Sequence, residues 1–271
     1  MVNTKFVKVT FDEKGVVELV LNRPEIHNAF NDQMISEIIQ VVSALEKDDK
    51  CRLVVLSGMG KSFCAGADLS WMKQMKDYSK EKNVKDSLEL SKMFKTLHLF
   101  SKPIIGKING HALGGGVGLV SICDYAIVVE SAKIGLTEVR LGLAPAVISP
   151  YVISKIGVSN ARAYFLSGTK FGGRKAVGLG LAHECCESAE LDERVESLVM
   201  SFLKAAPVAQ RAAKNLIAEV SIMELPDKLE AVCASEEYTA NLISELRVSD
   251  EGQEGMNAIL SKRKANWDQK R

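Results

Sequence analysis

The sequence predicts an α/β fold followed by a C-terminal helical region, and three patterns support this prediction. Over the first two-thirds of the 271 residues, short apolar strand patterns alternate with helical patterns. Two strands recur before a helix, which differs from the one-to-one alternation of a doubly wound sheet. After Ser149 helical periodicity dominates. We therefore predict an α/β core over residues 1–205 and a helical region over residues 206–271.

The first third of the chain supplies strands and one clear amphipathic helix. Residues 5–11 and 16–21 carry the apolar and β-branched side chains typical of two strands joined by a turn. Asn31 or Asp32 is suited to cap a helix whose apolar residues follow the 3.6-residue period. Residues 53–56 form a short apolar run, which predicts a buried strand.

The middle of the chain continues this alternation. A long helix is predicted over residues 81–99 and a strand over 103–108. A glycine-rich turn follows at residues 114–116, and a helix is expected to begin at Leu119. Residues 125–129 then read as another strand.

Composition excludes several classes of protein. With 35 basic and 34 acidic residues the formal net charge is +1, so a strongly basic nucleic-acid binder is excluded. No apolar run reaches the roughly 20 residues needed to cross a bilayer, and the N terminus shows neither a signal-peptide nor a transit-peptide pattern. The six cysteines lack zinc spacing. We expect a cytoplasmic protein with reduced thiols, no membrane association and no metal site.

Two glycine-bearing turns carry the functional signal. Residues 63–69 (FCAGADL) and residues 109–116 (NGHALGGG) each follow a predicted strand. Small residues let a ligand approach the backbone, and a glycine run before a helix leaves N–H groups free where negative charge is favoured. Two such N–H groups converging on one oxygen would form an oxyanion hole, in which each donor is worth roughly 2.7–4 kcal/mol. The alternative is that both segments are only tight turns.

These two turns, followed by GLTEVRLGL at residues 135–143, resemble the enoyl-CoA hydratase/isomerase (crotonase) superfamily. Further matching segments are LNRP at 21–24, LSG at 166–168, EGM at 254–256 and KRK at 262–264. The resemblance implies the crotonase fold, a spiral of ββα units with a C-terminal helical trimerisation region. It also implies a homotrimer or a dimer of trimers, an acyl-CoA thioester substrate, and no cofactor beyond the coenzyme A of the substrate.

The resemblance also implies roles for particular residues. The thioester oxygen would lie between the backbone N–H groups of Ala65 and Gly115. The CoA adenine pocket would be bordered by Ala65, Gly66, Ala67, Asp68 and Leu69. The CoA channel would be lined by His27, Asn28 and Ala29, and Lys262 or Lys264 would reach the CoA phosphates.

One position departs from the usual family pattern. Family hydratases commonly carry two glutamates, but here Gly118 stands at the first place and only Glu138, at the second, is retained. Two alternatives follow: a Δ3,Δ2-enoyl-CoA isomerase, or a hydratase in which Glu138 takes a proton from water and returns one to the α-carbon. Restoring a glutamate at Gly118 is then expected to improve hydration of crotonyl-CoA.

A finer resemblance favours the hydratase. The segments ADLSWMK at 67–73, GVGLV at 116–120 and GLAPAVISPY at 142–151 are similar to bacterial 3-methylglutaconyl-CoA hydratases of leucine breakdown. Isohexenylglutaconyl-CoA hydratases of terpenoid breakdown are the alternative. Both substrates carry a distal carboxylate, for which Arg140 and Lys73 are candidate cations; either could equally be an ordinary surface charge.

A non-catalytic function also has some support. Lys73, Lys76 and Lys80 fall on one helical face, in a segment comparable to the lysine comb of a mitochondrial RNA-binding methylglutaconyl-CoA hydratase. Acidic residues interleave with these lysines, and the net charge of +1 gives no long-range attraction to phosphates. We therefore do not expect nucleic-acid binding.

Overall fold

The computed structural model describes residues 4–74, 78–222 and 249–269, together with Asn241, Leu242 and Glu245. The chain divides into two compact units, one made of residues 1–100 and 104–196 and the other of residues 101–103 and 197–271. The sequence placed a boundary at residues 205 and 206, whereas this division falls inside a helix, Leu191–Leu203.

The first unit contains two β-sheets. In chain order the strands are β1 (Val7–Phe11), β2 (Val16–Leu21), β3 (Leu53–Gly58), β4 (Ser62–Cys64), β5 (Ile104–Ile108), β6 (His111–Leu113), β7 (Tyr125–Val129), β8 (Ile134–Gly135) and β9 (Glu184–Cys186). The larger sheet has the order β1-β2-β3-β5-β7-β9, and the smaller has the order β4-β6-β8. All described pairings are parallel except that of β1 with β2.

Successive strand pairs divide between the two sheets. β3, β5 and β7 each join the larger sheet, and the strand that follows each of them, β4, β6 or β8, joins the smaller one. The α/β class with repeated strand pairs before helices is therefore confirmed. This arrangement brings the ends of β4, β6 and β8 to one edge of the small sheet, because parallel strands end on the same side.

The described residues of this part of the chain also form α-helices. They are α1 (Asp32–Glu46), α2 (Leu69–Gln74), α3 (Lys80–His98), α4 (Gly115–Ile122), α5 (Ser149–Ser167), α6 (Gly173–Gly178) and α7 (Leu191–Leu203). Short 3₁₀ helices lie at Pro24–Ile26 and Glu138–Leu141. The predicted cap of α1 is confirmed, since Asn31 Oδ1 accepts the N–H of Met34 at 3.0 Å.

Some elements differ from the sequence prediction. Helix α4 begins at Gly115 rather than at Leu119, although glycine has a poor helix propensity. Residues 116–122 of this helix are all buried, so tertiary packing overrides propensity there. The short strands β4, β6, β8 and β9 were not predicted, because two or three residues are too few to show a period.

From residue 197 onwards, the described part of the second unit is largely helical. Besides the end of α7, it contains α8 (Pro207–Ile222), α9 (Asp250–Leu260) and α10 (Asn266–Gln269). The Glu251 carboxylate caps α8 by accepting the N–H groups of Val208 and Ala209 at 3.1 and 2.9 Å. Across the described ranges, no helix has the length and apolar character required to span a membrane.

Candidate active site

The turn after β4 leaves one backbone N–H without a partner. The N–H of Ala65 donates to the His27 carbonyl at 2.9 Å, and that of Gly66 lies 3.4 Å from Cys64 Sγ. The N–H of Asp68 donates to the Phe30 carbonyl at 3.0 Å. Ala67 is half-buried, and its N–H has no acceptor in the part of the chain that the structure describes. The free donor of this turn is therefore Ala67, which corrects the expectation that Ala65 supplies it.

Gly66 makes this arrangement possible. Its φ of +87° is in the left-handed region, which costs glycine little and other residues much. The turn of the backbone at this residue separates the N–H of Ala65, which is used internally, from the N–H of Ala67, which is not.

The turn is held from behind by a buried polar network. Asn28 is fully buried, and its Nδ2 lies within hydrogen-bond distance of the carbonyls of Met59 and Ser62 (2.9 and 2.8 Å). Arg23 donates to the Ala29 carbonyl at 2.7 Å and pairs with Asp68 at 3.0 Å. These bonds fix the turn because buried polar groups are costly to leave unpaired.

The second turn leads into α4 and presents a second donor. Gly114, with φ +50°, precedes the helix, and its N–H donates to the Gly135 carbonyl at 2.9 Å. The N–H groups of Val117 and Gly118 both donate to the Gly114 carbonyl. That of Gly115, the half-buried first helical residue, has no acceptor within the described ranges. It points from a helix N terminus, where negative charge is favoured.

The two turns are in contact with each other. A Cβ atom built on Gly66 would lie 2.8 Å from the Leu113 carbonyl oxygen and 3.2 Å from the Gly115 nitrogen. The unpartnered N–H of Ala67 follows Gly66 directly, so both free donors belong to one small region. This arrangement supports the predicted oxyanion hole, with Ala67 in place of Ala65 as the partner of Gly115.

Glu138 lies beside these donors. A Cβ atom built on Gly114 would lie 3.0 Å from Glu138 Oε1, so the carboxylate rests against the residue that precedes Gly115. Glu138 Oε2 is buried, and among the described residues it has no hydrogen-bond partner. Burial raises the pKa of this carboxyl group above its ordinary value, because desolvation disfavours the charged form. A carboxylate in this state is a stronger base than an exposed one.

Gly118 faces an apolar wall. A Cβ atom built on Gly118 would lie 2.5 Å from Ile148 Cγ2 and 2.8 Å from Phe94 Cε1. The ring of Tyr151 stacks on that of Phe94, with ring centroids 5.9 Å apart. The wall leaves no room for a side chain at position 118 unless Ile148 and Phe94 move.

The other residues that were expected to border the CoA-binding site lie in different environments from one another. His27 is exposed, with Nδ1 3.0 Å from Ser62 Oγ. The Asn28 side chain is used entirely inside the protein and Ala29 is buried, so neither side chain is available to line a channel. Leu69 is 65% exposed.

The predicted cations are all exposed. The Arg140 side chain lies over Gly168, where a built Cβ atom would be 3.0 Å from Arg140 Cγ. Lys73 is exposed at the end of α2, and Lys262 is exposed after α9 with φ +52°. Lys76, which was predicted to share a helical face with Lys73, lies outside the described residues.

The geometry defines a class of site. Two backbone donors and one desolvated carboxylate are suited to stabilise negative charge on a carbonyl oxygen and to move a proton at the neighbouring carbons. Within the described ranges, no group of three or more His, Cys, Asp and Glu side chains is placed to hold a metal ion.

Comparison with known proteins identifies the family. Residues 12–270 match the family model described as enoyl-CoA hydratase/isomerase. The chain belongs to this family. A putative enoyl-CoA hydratase of Thermus thermophilus is 32% identical over 93% of this chain and 97% of the relative. The 2,3-dehydroadipyl-CoA hydratase of Escherichia coli is 30% identical over 93% of this chain and 94% of the relative.

Solved structures agree with the fold. An enoyl-CoA hydratase from Shewanella pealeana superposes with a TM-score of 0.90 at 36% identity, covering 97% of this chain and 96% of the other. Pseudomonas aeruginosa AtuE superposes with a TM-score of 0.92 at 32% identity, covering 98% of this chain and all of the other (100%). The predicted crotonase fold is confirmed.

Proposed function

We propose that this protein is an enoyl-CoA hydratase with a single catalytic carboxylate, and that its acyl substrate is 3-methylglutaconyl-CoA. The observation that carries the proposal is the Glu138 carboxylate beside the unpartnered N–H groups of Ala67 and Gly115. Family membership supports a CoA thioester as the substrate. The relatives differ in the acyl group that their names specify, so the choice of acyl group rests on the resemblance of residues 67–73, 116–120 and 142–151.

The reaction requires one proton carrier. Ionised Glu138 accepts a proton from water as the water oxygen bonds to the β-carbon, and the electrons of the double bond move toward the thioester carbonyl. The resulting oxyanion is held by the N–H groups of Ala67 and Gly115, each worth roughly 2.7–4 kcal/mol. Protonated Glu138 then gives its proton to the α-carbon as the carbonyl re-forms. Water is added overall, and Glu138 ends as it began.

The raised pKa of Glu138 suits both steps. A carboxylate whose charge is desolvated binds a proton more readily, and the protonated form keeps that proton until the enolate takes it. The Asp68 carboxylate does not compete for this role, because it pairs with Arg23 and caps α2 by accepting the N–H of Ser70 at 2.8 Å.

A distal carboxylate on the substrate requires a cation, and we propose Arg140 for this role. Arg140 belongs to the same 3₁₀ helix as Glu138. Changing Arg140 to Gln should raise KM for 3-methylglutaconyl-CoA much more than KM for crotonyl-CoA, which has no such group. Equal effects on the KM of both substrates would show that Arg140 is an ordinary surface charge and does not bind the distal carboxylate. Lys73, in α2, is the matched comparison.

The isomerase remains a second candidate because of one observation. Ile148 and Phe94 fill the space at Gly118, so this wall offers no polar group to hold a water molecule. A proton shuttle between the α- and γ-carbons needs only Glu138 and the two N–H donors.

The isohexenylglutaconyl-CoA hydratase is the alternative within the hydratase class. A trimer or dimer of trimers and a cytoplasmic location stay predictions.

A side-by-side turnover assay separates these candidates. The purified protein would be given 3-methylglutaconyl-CoA, isohexenylglutaconyl-CoA, crotonyl-CoA and a 3-enoyl-CoA, with products identified by mass. We expect one water to be added to 3-methylglutaconyl-CoA, with little change in the others. Isomerisation of the 3-enoyl substrate without a gain of water would replace the hydratase by the isomerase.

A further inference from the structure

The backbone of Phe30 holds the residues on either side of the first donor. Its N–H donates to the Gly66 carbonyl at 2.8 Å, and its carbonyl accepts the N–H of Asp68 at 3.0 Å. Phe30 and Ala67 thus form an isolated parallel β-bridge. Because the peptide groups before and after Ala67 are bonded to Phe30, the position of the Ala67 N–H depends on where Phe30 lies.

The ring of the same residue touches the second donor. A Cβ atom built on Gly115 would lie 2.3 Å from Phe30 Cζ and 2.9 Å from Cε1, so the ring packs directly on the Gly115 α-carbon. The ring is 1% exposed and meets the edge of the Phe94 ring, with centroids 6.5 Å apart and an interplanar angle of 76°. Such close packing leaves the ring little freedom to shift.

Phe30 is also anchored along the chain. It directly precedes Asn31, which caps α1, and the neighbouring Ala29 carbonyl accepts a hydrogen bond from Arg23. A side chain fixed on both sides can act as a spacer between two groups that are far apart in sequence.

We propose that Phe30 is a positioning residue that sets the separation of the Ala67 and Gly115 donors. The inference rests on the proposed function, in which these two N–H groups hold the thioester oxygen. An oxyanion hole requires donors about 2.7–3.1 Å from the oxygen in the transition state. A displacement of about 1 Å can cost as much as 100-fold in rate. Phe30 does not touch the substrate; it acts through the two donors.

The test compares Phe30→Leu with a matched change elsewhere in the core. Phe100 is also buried, at 2% exposure, and follows α3 in the chain, so Phe100→Leu removes the same atoms at a residue that belongs to neither turn. Three quantities would be measured for each variant: the melting temperature, kcat and KM on the substrate that the wild type turns over, and the carbonyl stretching frequency of bound butyryl-CoA labelled with ¹³C at the carbonyl. Butyryl-CoA is saturated and cannot be hydrated, so its carbonyl reports hydrogen bonding at the hole without any reaction.

We expect Phe30→Leu to lower kcat by about 10-fold, a fraction of the 10²–10³-fold cost of losing a donor. KM should change by less than about twofold, as for an interaction realised in the transition state. The carbonyl stretch of bound butyryl-CoA should move back toward its frequency in water. Phe100→Leu should lower the melting temperature while leaving kcat and the carbonyl stretch unchanged. If Phe30→Ala folds, the same measurements on that variant extend the series. If it does not fold, the measurements on Phe30→Leu alone test the inference.

Two results would overturn the inference. One is an unchanged kcat and carbonyl stretch in folded Phe30→Leu, whatever its melting temperature. The other is an equal carbonyl shift in Phe100→Leu, which would make the effect one of general core packing. Failure of the proposed reaction looks different: if the wild type hydrates none of the enoyl-CoA substrates but still polarises the butyryl-CoA carbonyl, and Phe30→Leu removes that polarisation, the positioning role stands.

Discussion

Replacing Glu138 by Gln should remove turnover and at the same time stabilise the fold. Glu138 Oε2 is buried without a hydrogen-bond partner in the described part of the chain, and desolvation raises the pKa of the carboxyl group. Ionisation of Glu138 in the folded protein therefore carries a desolvation cost, which the Glu138 backbone N–H offsets only in part. Gln has nearly the same shape and no charge, so it removes this cost together with the proton carrier. Opposite effects on activity and stability are characteristic of a strained functional site.

The expected magnitudes follow from the role of the group. Loss of a positioned acid–base group typically costs 10²–10⁴-fold in rate, or about 2.7–5.5 kcal/mol at 1.36 kcal/mol per factor of ten. The gain in stability should be on the order of 1 kcal/mol, because the amide of Gln also remains buried. A change of that size shifts the melting temperature of a domain of this length by about 2–4 °C. Binding of butyryl-CoA should change little.

The pH dependence has a definite sign. In the unfolded chain the Glu138 carboxyl titrates near the ordinary pKa of an exposed glutamate, and in the folded protein its pKa is higher because burial disfavours the charged form. Below the unfolded pKa the group is neutral in both states, so Glu138→Gln should leave stability nearly unchanged. As the pH rises through the folded pKa, the wild type must ionise a desolvated group and loses stability relative to the variant. The kcat/KM of the wild type should fall as the pH drops through the same pKa, because the base must be ionised.

Glu130→Gln is a matched control for which the expected change in stability at neutral pH has the opposite sign. The Arg174 guanidinium, bonded to both oxygens of Glu130, holds the pKa of that carboxyl below its usual range. Its contribution to stability is present above the unfolded pKa and is lost as the pH falls. Glu130→Gln should therefore melt below the wild type at neutral pH, with full turnover. Thermal unfolding of both variants between pH 4 and 8 tests the reasoning. A lower melting temperature for Glu138→Gln at neutral pH would refute it, as would retained turnover.

Three further outcomes are expected from the surroundings of the site. The sequence suggested that Gly118→Glu would improve crotonyl-CoA hydration, but the structure predicts no improvement and a lower melting temperature. The reason is that the new Cβ would lie 2.5 Å from Ile148 Cγ2. A folded variant with faster hydration would contradict this. Burial raises the pKa of the Cys64 thiol to about 12, so Cys64 should resist iodoacetamide at pH 8, checked by peptide mass mapping. Asp68→Asn should weaken the pairing with Arg23 and lower kcat more than it raises KM, because it loosens the turn that holds the Ala67 donor; unchanged kcat would argue against that.

The sequence predicted those elements of the fold whose hydrophobic pattern extends over enough residues to show a period. The strands 16–21 and 125–129 have the predicted bounds, and α1 has its predicted cap at Asn31. The start of α4 was placed four residues late, because a run of glycines has low helix propensity and burial decides the matter. Such burial depends on contacts between distant segments, which a local pattern does not contain.

The site shows the same division between local and long-range information. The motifs named Gly115 and Glu138, and the structure places Glu138 Oε1 against Gly114, the residue before Gly115. The family resemblance implied Ala65 as the donor, and successive N–H groups in a turn look alike in sequence. Only their acceptors distinguish them, and those acceptors are the carbonyls of His27 and Phe30, more than 30 positions away. The useful signal was Gly66, since a left-handed residue redirects the peptide that follows it.

The absence of a second glutamate is built into the packing. A glycine at position 118 could be read as a lost carboxylate that one substitution would restore. Ile148 and Phe94 occupy the space that any side chain there would need, and Tyr151 stacks behind Phe94. A carboxylate at this position therefore needs smaller residues on α3 or before α5 as well as the glutamate itself.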